Sequence, residues 1–202
     1  SWGTFCYLRD VDSGSLWSTT LHPTSQVTSS YEAIFTQARA EFRHLYEQIE
    51  MHSEISVSSE DDLELRRVTL TNRSDRVRTI EFTSYAEVVL ATQSQDESHP
   101  AFSNLFVQTE IDRKHHAILC TRRPRSAEEH PPWLMHMMTA TGTSSSATSF
   151  ETDRMKFVGR GRSLATPAAF DQRLPLSDSE GSTLDPIVSI RQTLRIEPNE
   201  SV

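Results

Sequence analysis

Apolar residues recur at every second position through much of this chain. From Ile80 to Leu90, the residues Ile80, Phe82, Ala86, Val88 and Leu90 fall on even positions, and Glu81, Thr83, Tyr85 and Glu87 on odd ones. At about 3.3 Å per residue this predicts a long strand with one face on a core and the other polar. IEMHSEISV alternates likewise, with Ile49, Met51, Ile55 and Val57 set against Glu50, His52 and Glu54. VSIRQTLRI sends Val188, Ile190, Leu194 and Ile196 inward, against Arg191, Thr193 and Arg195. In LELRRVTLT the apolar parity switches between Leu65 and Val68, which predicts a β-bulge near Arg66 and Arg67. In HPAFSNLFVQTE, Leu105, Val107 and Ile111 share a parity opposite to Phe106, Gln108 and Glu110, so a strand is expected over 105–111. His99-Pro100 then belongs to the preceding turn, because proline disfavours helix at the residue before it.

Polar turn segments separate these runs: DVDSGS, SSEDD, TNRSDR, PRSAEEHPP and LSDSEGS. Strands at this spacing with short polar links indicate an antiparallel sandwich rather than βαβ units. The Ser/Thr-rich TATGTSSSATS (139–149) reads as a mobile loop. One segment departs from the pattern. In YEAIFTQARAEFRHLYEQIE, Ile34, Ala38, Phe42, Leu45 and Ile49 recur at helical spacing among good helix formers, so pattern alone predicts a helix over 33–48.

At 202 residues the chain can bury a real core. A net charge of −8 argues against a general nucleic-acid binder, which needs a basic face to release counterions. No apolar run approaches the roughly 20 residues of a membrane span. Cys6 and Cys120 both sit in apolar runs and read as buried free thiols, with a disulfide or a nucleophile as the alternatives. The chain opens on SWGTFCYLRD and ends on IEPNESV, like strands cut mid-course, so a fragment of a longer protein is expected.

Candidate chemistry is sparse. His115 and His116 are adjacent and point to opposite faces of a strand, and His130 and His136 lack partners at metal-ligand spacing, so no metal is expected. With 28 acidic residues, carboxylate pairs arise by chance, and no nucleophile motif is present. TRRPR, with Arg122, Arg123 and Arg125, is the strong positive cluster; it suits either an anion or structural pairing with nearby carboxylates. Trp2, Trp17 and Trp133 offer either flat faces for sugar stacking or ordinary core residues. A mutarotase-like activity would need a His and a Glu converging on one sheet face, and His52 and Glu54 share one.

Eight collinear segments, WGTFCYLRDVDSG, YEAIFTQARAEFR, SEDDLELRRVTLTNRS, RTIEFTSYAEVVLA, HPAFSNLFVQTE, ILCTRRPRS, FETDRMKFVGRG and LDPIVSIR, together resemble the amino-terminal β-domain of glycosyltransferase family 36. That group is also classed as glycoside hydrolase family 94, and the likeness is strongest to the cyclic β-1,2-glucan synthases. The resemblance implies an all-β chain: an antiparallel β-supersandwich, galactose mutarotase-like, lacking strands at both ends. On this reading 1–202 is a single β-sandwich domain of a larger bacterial enzyme. It also implies extended strands, not helix, across 33–48.

By the same resemblance the catalytic residues and phosphate site lie in an (α/α)₆ barrel outside this chain, so no catalytic residue and no cofactor are expected here. The expected function is that of an accessory domain touching a β-glucan oligosaccharide and packing on the barrel and in a homodimer. An autonomous β-glucan-binding module is the alternative. Carbohydrate contacts are expected among Trp2, Trp17, His99 and Trp133, with Arg122, Arg123 and Arg125 at an anion site or interface. His99 is expected to make one hydrogen bond, to a loop or a sugar hydroxyl. The parent protein is expected in the bacterial inner membrane, with this domain on the cytoplasmic side.

Overall fold

A computed structural model describes residues 3–124, 126, 128–142 and 148–202. Strands dominate it, and they pair mostly antiparallel. The chain divides into two compact units, one of Phe5–Phe82, Ala140–Ser146 and Thr193–Val202, the other of Ser1–Thr4, Thr83–Thr139 and Ala147–Gln192.

The first unit begins with β1 (Thr4–Asp10) and β2 (Leu16–Ser18), paired about the DVDSG turn. Asp10 builds that turn: its Oδ1 accepts from the backbone N–H of Asp12 (2.7 Å) and Ser13 (2.9 Å), and Gly14 supplies a φ of +77°. Next come β3 (Ser30–Phe35), β4 (Ala40–Tyr46), β5 (Ile49–Val57) and β6 (Glu64–Asn72), a four-stranded sheet in sequence order. The start of β7 (Arg78–Glu87) lies beside β1. Leu8, Trp17, Ile49, Met51, Leu70 and Ile80 form the centre of the core, none more than 1 % exposed.

In the second unit the rest of β7 leads to two short helices, α1 (Gln93–Ser98) and α2 (Pro100–Asn104). Then follow β8 (Val107–Asp112), β9 (Ala117–Arg122), β10 (Trp133–Met137), β11 (Ser149–Asp153), α3 (Arg154–Val158), the two-residue β12 (Gly181–Ser182) and β13 (Pro186–Ile196). One sheet runs β10-β9-β8-β12, while β11, β13 and β7 are neighbours in another. Val107, Ile118, Cys120, Phe150, Val188 and Ile190 fill this core. The last residues of β13, Leu194 and Ile196, belong to the core of the first unit.

The helical pattern over 33–48 does not give a helix. Thr36 and Arg39 close one hairpin, with Thr36 N–H donating to Arg39 C=O at 3.0 Å. Glu47 and Gln48, at φ +45° and +66°, close the next as a type I′ pair. Each turn resets the alternation, so Ile34 and Leu45 lie on one face of the sheet while Phe42 and Ile49 lie on the other. The strands implied by the resemblance are the ones present.

Three other expectations change. No bulge interrupts β6: its register to β5 is unbroken from Ile49↔Asn72 to Val57↔Glu64, and Leu65 simply points outward, 62 % exposed. The odd face of β7 is buried rather than exposed, with Glu81 paired to Arg9 (Oε2–Nε 2.7 Å) and Tyr85 stacked near Phe157 at 4.9 Å. The strand expected over 105–111 runs instead from Val107 to Asp112. His99 is non-helical as expected, at φ −148° and ψ 66°, but it separates two helical turns, with Pro100 at the start of the second. Of the Ser/Thr-rich 139–149 loop, residues 143–147 lie outside the described residues.

Candidate functional site

The residues singled out in the sequence scatter. Trp2 and Arg125 lie outside the described residues. Trp17 is 1 % exposed, its Nε1–H 2.9 Å from Met51 Sδ and its ring 5.0 Å from that of Tyr46, so it has no face to offer a sugar. Arg122 is buried and paired with Glu129, a structural role within the fold. Arg123 and His99 are exposed. His99 contributes its backbone, accepting from the N–H of Phe102 (3.0 Å) and Ser103 (3.1 Å). Cys6 and Cys120 are free and buried, and burial pushes their thiols up to about 11 and about 12, which makes both inert. Among the described residues, no three of His, Cys, Asp and Glu are gathered so as to hold a metal ion.

Trp133, by contrast, is exposed. It opens β10, an edge strand of five residues whose alternate positions Trp133, Met135 and Met137 are 66 %, 63 % and 55 % exposed. Leu134 packs against the core instead, and His136 Nε2 lies 2.7 Å from Ser84 Oγ. Across the sheet, the register continues the outer row from Trp133 to Thr121 and Gln108, and from Met135 to Leu119 and Glu110. An exposed ring flanked by two flexible thioethers and rimmed by polar groups is suited to the apolar face of a pyranose. Arg123 N–H donates to Phe106 C=O (2.8 Å), and the Phe106 ring sits 5.1 Å from that of Phe102 in α2. The sheet thus gathers Arg122, Arg123 and Trp133 toward one end, with α2 beside it. The W-x-M-x-M alternation was the signal in the sequence for the two methionines.

A second constellation, in the first unit, is built entirely by strand register. On the outer face of the β3–β6 sheet three rows cross the strands: Ser30, Leu45, Glu50 and Thr71; Glu32, Arg43, His52 and Thr69; Ile34, Glu41, Glu54 and Arg67. Glu41 and Glu54 are direct cross-strand neighbours, only 4 % and 9 % exposed. Two like charges so placed repel, and cations gather over them. Glu41 Oε2 meets His52 Nε2 (2.9 Å) and Arg43 Nη2 (3.0 Å), and its Oε1 meets Arg39 Nε (2.7 Å). Glu54 pairs with Arg67 (2.6 Å) and Arg39 (3.0 Å). The hydrogen bond from His52, with help from Arg43 and Arg39, draws the Glu41 carboxyl down to about 2. The hydrogen bond from Arg67, first of all, holds the Glu54 carboxyl below its ordinary range. A carboxylate held as low as that of Glu41 is a permanent acceptor and a poor general acid or base. The alternation revealed that His52 and Glu54 share a face, but Glu41, Arg39, Arg43 and Arg67 joined them only through pairing.

Along this face runs a groove of about 420 Å³, with Leu45 in its lining between Glu32 and Arg43 on one side and Glu50 and Arg73 on the other. Among the described residues no helix is long and apolar enough to cross a membrane.

The chain is 41% identical over 200 residues to the cyclic beta-(1,2)-glucan synthase NdvB of Rhizobium meliloti (strain 1021), an alignment covering 99% of this chain and 7% of that protein. It is 25% identical over 202 residues to a solabiose phosphorylase of Paenibacillus borealis, covering 98% of this chain and 24% of the relative. An N,N'-diacetylchitobiose phosphorylase of Vibrio proteolyticus is 31% identical over 100 residues, 48% of this chain and 12% of that one. The chain therefore spans less than a quarter of the length of each of these curated relatives. The family model described as glycosyl hydrolase 94, supersandwich domain, matches residues 1–202. With that match covering every residue, and with the antiparallel strands described above, the chain belongs to the glycosyl hydrolase 94 supersandwich domain family.

Proposed function

We propose that these residues act as the accessory, carbohydrate-associated β-domain of a cyclic β-1,2-glucan synthase or a related β-glucan phosphorylase, with bond making and breaking carried out elsewhere in the polypeptide. The likeness to the glucan synthase over 200 residues carries this reading. The exposed row of Trp133, Met135 and Met137 supports a sugar-facing role, and the low carboxyl of Glu41 argues against acid–base chemistry at the His52 cluster. In this reading the domain packs against a helical (α/α)₆ barrel of the same polypeptide and takes part in a homodimer, and the parent protein resides in the bacterial inner membrane with this domain on the cytoplasmic side.

The test compares this chain with a longer polypeptide that includes the barrel. This chain alone should release or transfer no glucose from β-1,2-glucan above buffer. In the longer polypeptide, Trp133→Ala should raise the KM for glucan about tenfold and leave kcat unchanged, as expected for lost uniform binding. Turnover by this chain alone, or a KM unmoved by the substitution, would overturn the proposal. The exposure of Trp133 also favours a second reading, an autonomous binding module. That reading requires this chain alone to bind β-1,2-glucan with calorimetric heat that Trp133→Ala abolishes.

A further inference from the structure

The groove on the outer face of β3–β6 is a site of different make-up from the Trp133 row, and its chemistry specifies a ligand. We infer that it is a second saccharide site, taking a neutral, hydroxyl-rich ring such as a glucose unit of an oligosaccharide. Its volume of about 420 Å³ falls in the range of roughly 300–1,000 Å³ for small-ligand sites. Two donor–acceptor pairs face each other across Leu45. On one side Arg43 is tethered by a single contact to Glu41 (Nη2–Oε2 3.0 Å), while Glu32, its cross-strand neighbour, has no partner among the described residues. On the other side Arg73 Nε–H donates to Glu50 Oε2 (2.6 Å) and Nη2 makes an ion pair with the same oxygen (2.6 Å), which leaves Oε1 and Nη1 available.

Charge decides the ligand class. Two guanidiniums and two carboxylates line the groove, so an anion would meet Glu32 and Glu50 and a cation would meet Arg43 and Arg73. A vicinal diol meets neither conflict, because each hydroxyl can donate to a carboxylate and accept from a guanidinium at once. Leu45 gives the ring an apolar surface to rest on. The buried Glu41–Glu54 pair supplies the independent argument. A sheet built for stability alone would place Thr or Val at two such opposed positions. Of the arginines these carboxylates hold, Arg43 lines the groove, and its contact with Glu41 (3.0 Å) lowers the ordering cost of binding there.

The test is a titration of this chain, followed by backbone amide NMR shifts, with sophorose in one series and inorganic phosphate in another. Sophorose should shift the amides of Glu32, Arg43, Leu45, Glu50 and Arg73 saturably at millimolar concentration, and phosphate should not. Glu32→Gln with Arg43→Met, both at exposed positions, should weaken that binding about tenfold or more, as the loss of charged hydrogen bonds predicts. Glu32→Gln alone, at an exposed position without a partner among the described residues, should leave the thermal midpoint near that of the parent chain and still weaken the binding. Trp133→Ala should leave these shifts intact, which separates failure of this inference from failure of the Trp133 reading. Absent shifts, shifts unchanged in the double variant, or binding of phosphate as tight as that of sophorose would overturn the inference.

Discussion

Replacing Arg78 with Met removes the cation that joins a strand to two turns of the first unit. Arg78 is 2 % exposed and Asp10 is 0 % exposed. The guanidinium donates from Nε to Asp10 Oδ2 (2.7 Å) and from Nη1 to Glu47 C=O (2.7 Å), and the charge of its Nη2 lies 2.5 Å from the same Asp10 oxygen. Breaking a buried ion pair by deleting one partner costs about 3–5 kcal/mol, because the other charge stays buried. Met keeps most of the volume, so little cavity cost is added. Asp10 also keeps the N–H groups of Asp12 and Ser13 on its other oxygen, which points to the lower end, about 3 kcal/mol. With a urea slope of about 2 kcal/mol/M, the unfolding midpoint should fall by about 1.5 M. Fluorescence of the buried Trp17, in the same core, reports it. Arg195→Ala is the control: its pair with Glu197 (3.0 Å) is more than 40 % exposed on both sides and is worth about 1 kcal/mol at most. Burial pulls the Asp10 carboxyl upward, but the Ser13 N–H and Arg78 outweigh it and hold the group below its ordinary 3.8. Such a depressed carboxyl stabilises the fold above its unfolded value and loses that contribution as pH falls. The gap between parent and variant should therefore narrow below about pH 4. A midpoint shift in Arg78→Met no larger than in Arg195→Ala would refute the reasoning.

At Gly159, φ is +85° and an added Cβ would sit 2.6 Å from Ala168 Cβ. Gly159→Ala should cost about 2 kcal/mol and lower the thermal midpoint by about 4–8 °C, with Ala168→Gly restoring only the steric part. Glu41, drawn from 4.5 to about 2, stabilises the fold fully above 4.5 and loses that contribution as pH falls toward about 2. Glu41→Gln should flatten this part of the acid unfolding curve, measured by circular dichroism, and an unchanged curve would contradict the network. Cys6 and Cys120 should resist a thiol reagent at about pH 8 in the native chain and both react in denaturant.

The strands were legible wherever alternation ran unbroken. Ile49, Met51, Val188, Ile190, Leu194 and Ile196 all face cores, as their spacing implied, and Cys6 and Cys120 are the buried thiols their apolar settings suggested. Period-two spacing survives into the structure because successive side chains of a strand must point to opposite faces. Alternation says nothing, however, about whether the second face is also covered. Glu81, Thr83 and Tyr85 look solvent-facing in the sequence, yet Arg9, Arg191 and Phe157 lie over them. At 33–48 the helix formers and the spacing of Ile34, Phe42, Leu45 and Ile49 pointed one way, and two glycine-free turns sent the chain the other.

The candidate sites divide along the same line. Trp133 could be named from the sequence, because one aromatic residue carries its own surface. Its exposure, and the burial of Trp17, depended on which strand each occupies and on what packs over it. The grid around Glu41 and Glu54 could not be named, since its members are 13 positions apart and meet only in one register of β4 against β5. Local sequence determined the strands in which alternation ran unbroken and where most turns fall, because those depend on side-chain alternation and turn chemistry within a few residues. Tertiary structure alone decided which faces are buried and which charges oppose each other, because long-range pairing and packing set both.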